Sequence, residues 1–159
     1  MTPPAQFAPV RVYARQIGSG PAVVCLHSSG SSSAQWKGLI AHLAREHRVI
    51  APDLLGHGRS PRAGASTQSI LDQDAAQVAS IAAANGGVHL VGHSYGGAVA
   101  LRVALAHPAL VRSLVLYEPV VFGVLQGKDE YASLWREITQ TGRTIVLPTQ
   151  MRRLLAAAK

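Results

Sequence analysis

Four short runs rich in apolar and β-branched residues recur along the chain, and helical patterns fill the gaps between them. That alternation leaves few architectures open. Ala22-Val23-Val24-Cys25-Leu26 is apolar throughout, as suits a strand buried on both faces of a parallel sheet. Trp36, Leu39, Ile40 and Leu43 then fall at i, i+3, i+4 and i+7, which predicts a helix closing in Arg45 and His47. Arg48 to Pro52 reads as the next strand, and the Gly-rich and Pro-containing segment 53–66 as a loop. Ile70 to Ala84 forms an Ala-rich helix stopped by Gly86-Gly87. Val88 to Val91 is the third buried strand, Tyr95 to His107 a helix with Pro108 just beyond it, and Val111 to Tyr117 the fourth strand. Strand and helix alternate three times, which predicts an α/β fold, doubly wound, with a mostly parallel sheet, right-handed crossovers and helices on both faces. Val10 to Gln16 alternates apolar and polar and is expected antiparallel at the edge.

Composition removes several function classes. The 159 residues are 48% hydrophobic and 14% charged, enough for one core and too apolar for a disordered chain. No apolar run reaches the ~18 residues of a membrane helix. Met1 to Gln16 has no apolar core of a signal peptide and carries Arg11 and Arg15, so a cytoplasmic location is expected. One cysteine excludes a disulfide framework. The net charge of +7 raises nucleic acid as a partner, but the basic residues are scattered singly apart from Arg152-Arg153, and no stacking platform accompanies them. No nucleic acid, membrane, metal or cofactor is expected.

Gly92-His93-Ser94-Tyr95-Gly96-Gly97 joins the third strand to its helix and has the pattern G-x-S-x-G. A turn that sharp forces Ser94 into a strained backbone conformation, which Gly92 and Gly96 leave room for, and lifts its hydroxyl above the sheet. The N–H of Tyr95, at the helix N-terminus, faces the same spot and can bind an oxyanion. A glycine-rich packing turn is the plain alternative. A dinucleotide site, with Glu118 at the end of the next strand, would need glycine where Ser94 stands.

Four features in order resemble the α/β-hydrolase superfamily over roughly residues 10 to 122: His27-Ser28-Ser29-Gly30, Asp53-Leu54-Leu55-Gly56-His57-Gly58-Arg59-Ser60, the turn at Ser94, and Leu114-Val115-Leu116-Tyr117-Glu118-Pro119. The resemblance implies Ser94 as nucleophile, with the backbone N–H groups of Tyr95 and Ser29 as the oxyanion hole. It implies a serine hydrolase acting on an ester, thioester, amide or C–C bond of a small hydrophobic substrate. Glu118 holds a position where some members place their acid, while His27, Ser28, His57 and His93 are expected to line the pocket. His93 is expected to point away from Ser94.

The same resemblance exposes a gap. The family's order is Ser, then Asp or Glu, then His, yet none of the seven histidines follows His107. The tail shows no strand-Gly-x-x-Asp pattern to carry the acid. The expectation is therefore a hydrolase portion over 1–122 and a partial lid or divergent tail over 123–159, cut short as a fragment, a frameshifted end or a natural remnant. In that tail Glu130 to Thr141 reads as an amphipathic helix ending at Gly142, Thr144 to Leu147 as a scrap of strand, and 150–159 as a short basic helix. An edge left bare beside 111–117 would favour self-association. A non-catalytic binding or regulatory protein on the same fold is the other class left open.

Overall fold

The computed structural model describes residues 12–64, 66–120 and the backbone of 145–147. The helices expected over 130–141 and 150–159 lie outside the described residues. In chain order the elements are β1 (Ala14–Ile17), β2 (Ala22–Leu26), α1 (Lys37–Leu43), β3 (Arg48–Pro52), α2 (Ile70–Ala84), β4 (Val88–His93), α3 (Tyr95–Ala106), β5 (Val111–Tyr117) and β6 (Ile145–Leu147). They build one sheet in the order β1-β3-β2-β4-β5-β6. Strands β3, β2, β4 and β5 are mutually parallel, and β1 lies antiparallel on β3 with Ala14 opposite Pro52.

The continuous apolar runs became the central strands because both faces are covered. On one face α2 and α3 bury Val24, Leu26, Ile50, Leu90, Leu114 and Leu116 together with Val78, Val99 and Val103. On the other, Ile40 of α1 packs with Val23, Cys25, Val49 and Ala51, flanked by Trp36, Leu39 and Leu43. The predicted helical stripe therefore faces the sheet. Cys25 is wholly buried, and burial pushes its thiol up to about 12.

Two expectations need correction. The helix expected to reach His47 ends at Leu43, where Ala44 N–H bonds to Ile40 and both Glu46 and His47 N–H turn back to Leu43. The backbone of 44–47 presses so closely on Gly18 that a Cβ there would overlap the carbonyls of Ala44 and His47, so the chain leaves the helix early to enter β3. The edge beside β5 is also not bare as expected. Strand β6 pairs antiparallel with it, Leu116 opposite Ile145 and Leu114 opposite Leu147, satisfying backbone groups that an open edge would leave for another chain.

Chain order reverses between β2 and β4, since β2 connects outward to β3 on one side while β4 connects to β5 on the other. Connections leave the carboxyl ends of these two neighbours in opposite directions and open a crevice there. The loop after β2 and the turn after β4 meet across it.

Candidate active site

Ser94 sits at the carboxyl end of β4 with φ 53° and ψ −116°. Among the described residues only Ser94 and Glu118, at φ 44°, are non-glycine residues with positive φ, and they end adjacent strands. The surroundings enforce the turn. Ser94 N–H donates to Tyr117 at 3.0 Å, and the Ser94 carbonyl accepts from Gly97, Ala98 and Val120. A Cβ on Gly92 would overlap the backbone of Gly96, one on Gly96 the carbonyls of Leu26 and His27, and one on Gly97 would crowd Pro119. Each glycine is thus required by close approach, and Gly96 in particular seats the turn against the end of β2. Backbone strain of this kind costs about 1–3 kcal/mol. Ser94→Gly is expected to raise stability by about 1 kcal/mol, read from the urea unfolding midpoint.

No side chain caps α3, whose first residue is Tyr95. Ser29 and Tyr95 both line a cavity of about 580 Å³ whose remaining wall comes from Leu55, Gly56, His57, Arg62, Ala63, Ile70 and Leu71. Of the residues expected at the pocket, Ser29, Tyr95 and His57 are there. Glu118 is exposed beside the turn, at the end of β5.

Three expected wall residues are elsewhere. His27 is fully buried, its Nδ1 on the Ser28 carbonyl at 2.8 Å and its Nε2 accepting from Leu54 N–H at 2.9 Å. It joins the loop after β2 to the loop after β3 and has no nitrogen free to take a proton from Ser94. Ser28 donates both its N–H and its hydroxyl to Oε1 of Gln35, at 3.1 and 2.9 Å. The other end of that amide, Nε2, contacts His93 Nδ1 at 3.0 Å, and the His93 ring lies 4.9 Å from Tyr117. His93 is therefore on the α1 side of the sheet, as strand alternation from Ser94 implied.

The loop 53–60 is held by two acids. Asp53 accepts from the N–H groups of Ser33 and Arg59, and a Cβ on Gly58 would overlap its carboxylate. Burial alone would raise the Asp53 carboxyl, but those hydrogen bonds bring it below the ordinary range. Asp74 of α2, almost wholly buried, accepts from Leu55 N–H at 2.8 Å and from the Tyr95 hydroxyl at 2.7 Å. Burial lifts the Asp74 carboxyl above its usual range, and burial with the Asp74 bond lifts the Tyr95 phenol. Asp74 thereby braces two walls of the cavity at once. Its sequence signal was a carboxylate on the apolar stripe with Val78 and Ala82; Gln35 carried no comparable signal.

His27 and Asp74 give opposite pH dependences. Burial lowers the His27 pKa, so its contribution is present when the ring is neutral and is lost as pH falls from about 6.5 toward the depressed folded value. The raised Asp74 carboxyl contributes stability at low pH that is lost as pH rises through its folded pKa. The urea midpoint is expected to decline on acidification from about pH 7 to 5, and His27→Gln to decline less steeply.

A family model described as the alpha/beta hydrolase fold matches residues 21–158. The chain belongs to the α/β-hydrolase fold family. This α/β hydrolase is similar to Lipase LipV of Mycobacterium tuberculosis, 43% identical over 106 residues that make up 65% of this chain and 39% of the lipase. It is 37% identical over 128 residues to 2-hydroxymuconate semialdehyde hydrolase of Pseudomonas sp., covering 77% of this chain and 45% of that one. Among solved structures, an esterase from Exiguobacterium antarcticum superposes with a TM-score of 0.63 at 26% identity, over 69% of this hydrolase and 42% of the esterase. The chain spans between about a third and a half of the length of the curated relatives it matches. No helix among the described residues is long and apolar enough to cross a membrane.

Proposed function

We propose that this α/β hydrolase cleaves an acyl bond of a small hydrophobic substrate through Ser94, by way of an acyl-enzyme. The observation that carries this reading is the strained turn at Ser94, immediately before Tyr95, which lines one cavity with Ser29; Ser94 itself is not among the residues of that wall. Non-glycine strain is retained where the surrounding structure over-determines it, and functional sites are where it clusters. Ser94 Oγ attacks the carbonyl carbon, and the resulting oxyanion is held by N–H groups from Tyr95 and Ser29. Collapse expels the alcohol, thiol or other leaving group, and water then hydrolyses the acyl-enzyme. Relatives named as a lipase and a semialdehyde hydrolase support hydrolysis at the level of the family, and the ester is the bond we assign here.

Attack needs a base. His27 has both nitrogens engaged, and His93 is turned toward Gln35. His89 bonds Ser113 and packs near His47 toward the amino edge of the sheet, while His42 and His107 lie on α1 and at the end of α3. His57 alone lines the cavity, with Nδ1 on the Leu55 carbonyl. We assign Glu118 the acid's position, and among the described residues no histidine is hydrogen-bonded to Ser94 as its base.

Covalent labelling tests this reading. A fluorophosphonate incubated for hours is expected to modify Ser94 slowly and alone, mapped by peptide mass spectrometry, and to leave the Ser94→Ala chain unlabelled. Labelling at other serines with none at Ser94 would favour a binding protein on the hydrolase fold.

A further inference from the structure

The wall of the cavity beside Ser29 and Tyr95 is not uniformly apolar. Leu55, Ala63, Ile70 and Leu71 supply a greasy surface, and Ile70 is 56% exposed, so apolar area stands open to a ligand. Set among them is the guanidinium-bearing Arg62. Three other arginines are engaged. Arg59 lies over the Tyr13 ring at 4.8 Å and donates to its hydroxyl, Arg102 pairs with Asp72 at 2.8 Å, and Arg112 donates to the Gly86 carbonyl. Arg62 makes no hydrogen bond or ion pair among the described residues.

Three carboxylates among the described residues are engaged with other partners. Asp74 has one oxygen on Leu55 N–H and the other on the Tyr95 hydroxyl, behind the wall rather than facing the cavity. Asp53 is held by Ser33 and Arg59, and Asp72 by Ser69 and Arg102. An exposed cation with no partner among the described residues, at the rim of an apolar cavity, presents a positive field to a ligand there. The planar fork of an arginine matches a carboxylate through two parallel hydrogen bonds.

We propose that Arg62 selects an acyl chain that carries a second, ionised acidic group, so that the substrate is a half-ester of a dicarboxylic type rather than a simple neutral ester. This rests on the reading of Ser94 as the acylation site. The scissile carbonyl would lie at Ser29 and Tyr95, the chain along Ile70 and Leu71, and the free carboxylate on Arg62. A cavity of about 580 Å³ lies within the range of pockets that enclose small-molecule ligands.

Binding of octanoate and of octanamide, measured by calorimetry, tests the charge selection without requiring turnover. Octanoate is expected to bind about tenfold more tightly than octanamide, as a charge-assisted hydrogen-bonded pair confers. Arg62→Gln is expected to bring the two ligands to equal affinity, and Arg62→Lys to retain part of the preference. Arg62 is exposed, so neither change threatens the fold, which circular dichroism checks. Equal binding of the two ligands by the wild-type chain, or no binding of either, overturns the proposal. A preference that survives Arg62→Gln and disappears in His57→Gln also overturns it, because the selecting cation would then be the imidazole. The Ser94→Ala chain should discriminate as the wild type does. Failure of fluorophosphonate labelling with discrimination intact would remove the catalytic reading and leave the anion site standing.

Discussion

An activated ester offered to the 159-residue chain is expected to turn over about a millionfold more slowly than on a serine hydrolase with its base in place. The reason is geometric. A serine hydroxyl is a poor nucleophile until a base takes its proton, and no described hydrogen bond joins any of the seven histidines to Ser94. The proposed oxyanion donors and the cavity do not depend on a base, and such remnants leave roughly 10³–10⁴ over the reaction in water. Ser94→Ala should therefore lower the small residual rate only slightly. Turnover of a nitrophenyl ester by the two purified chains makes the measurement. If the wild-type chain instead runs at roughly 1–10³ s⁻¹ and Ser94→Ala abolishes it, a base exists within the chain. His57 would be that base, since His27 is excluded by its two hydrogen bonds.

The largest stability loss is expected from Gly96→Val. Even a single carbon added at Gly96 would overlap the carbonyls of Leu26 and His27, both backbone and neither able to yield without moving the end of β2. Overpacking against fixed atoms costs about 3 kcal/mol or more. For a chain of this length that is a fall of roughly 6–12 °C in melting temperature. The same substitution would pry the turn at Ser94 from the 27–30 loop, so labelling of Ser94 should fall even where the chain remains folded. A melting temperature within about 2 °C of wild type would show that the turn does not rest on β2 as described.

Most of the fold was legible because its signals are local. The apolar runs at 22–26 and 48–52, the Ala-rich stretch with Gly86-Gly87 after it, and the helix bounded by Pro108 each mark their own ends, and the structure places elements there. The early end of α1 was not legible, because it depends on Gly18 and Gly20 lying against residues that follow the helix, a contact between segments distant in sequence. The strand at 144–147 was legible, and the structure has it at Ile145–Leu147, but its pairing with β5 escaped for the same reason: nothing in a three-residue strand names its partner.

At the candidate site the strained turn was readable from Gly92, Gly96 and Gly97, since those glycines frame a serine where a dinucleotide-binding turn would need a further glycine. The roles of polar side chains were less readable. His27, Ser28 and His93 all stand in loops or strand ends beside the crevice, and their type alone suited a pocket wall. Which way each turns was decided by partners that carry no motif: Leu54 N–H for His27, and the single amide of Gln35 for Ser28 and His93. Asp74 was overlooked although a carboxylate on a buried helical stripe is costly without partners, and its two partners turn out to be on the cavity wall.

Cys25 stands in β2 between β3 and β4, with no exposed surface and a thiol pushed up to about 12. The thiolate is the form that reacts with a disulfide reagent, and here both its formation and its access require the sheet to come apart. As the sole thiol of the chain it is a built-in clock for that event. Under native conditions its rate of modification counts the openings of the central strands, while frayed loops and the ends of helices go unrecorded. Every substitution discussed above can thus be ranked by one colorimetric trace, with no label attached to the protein.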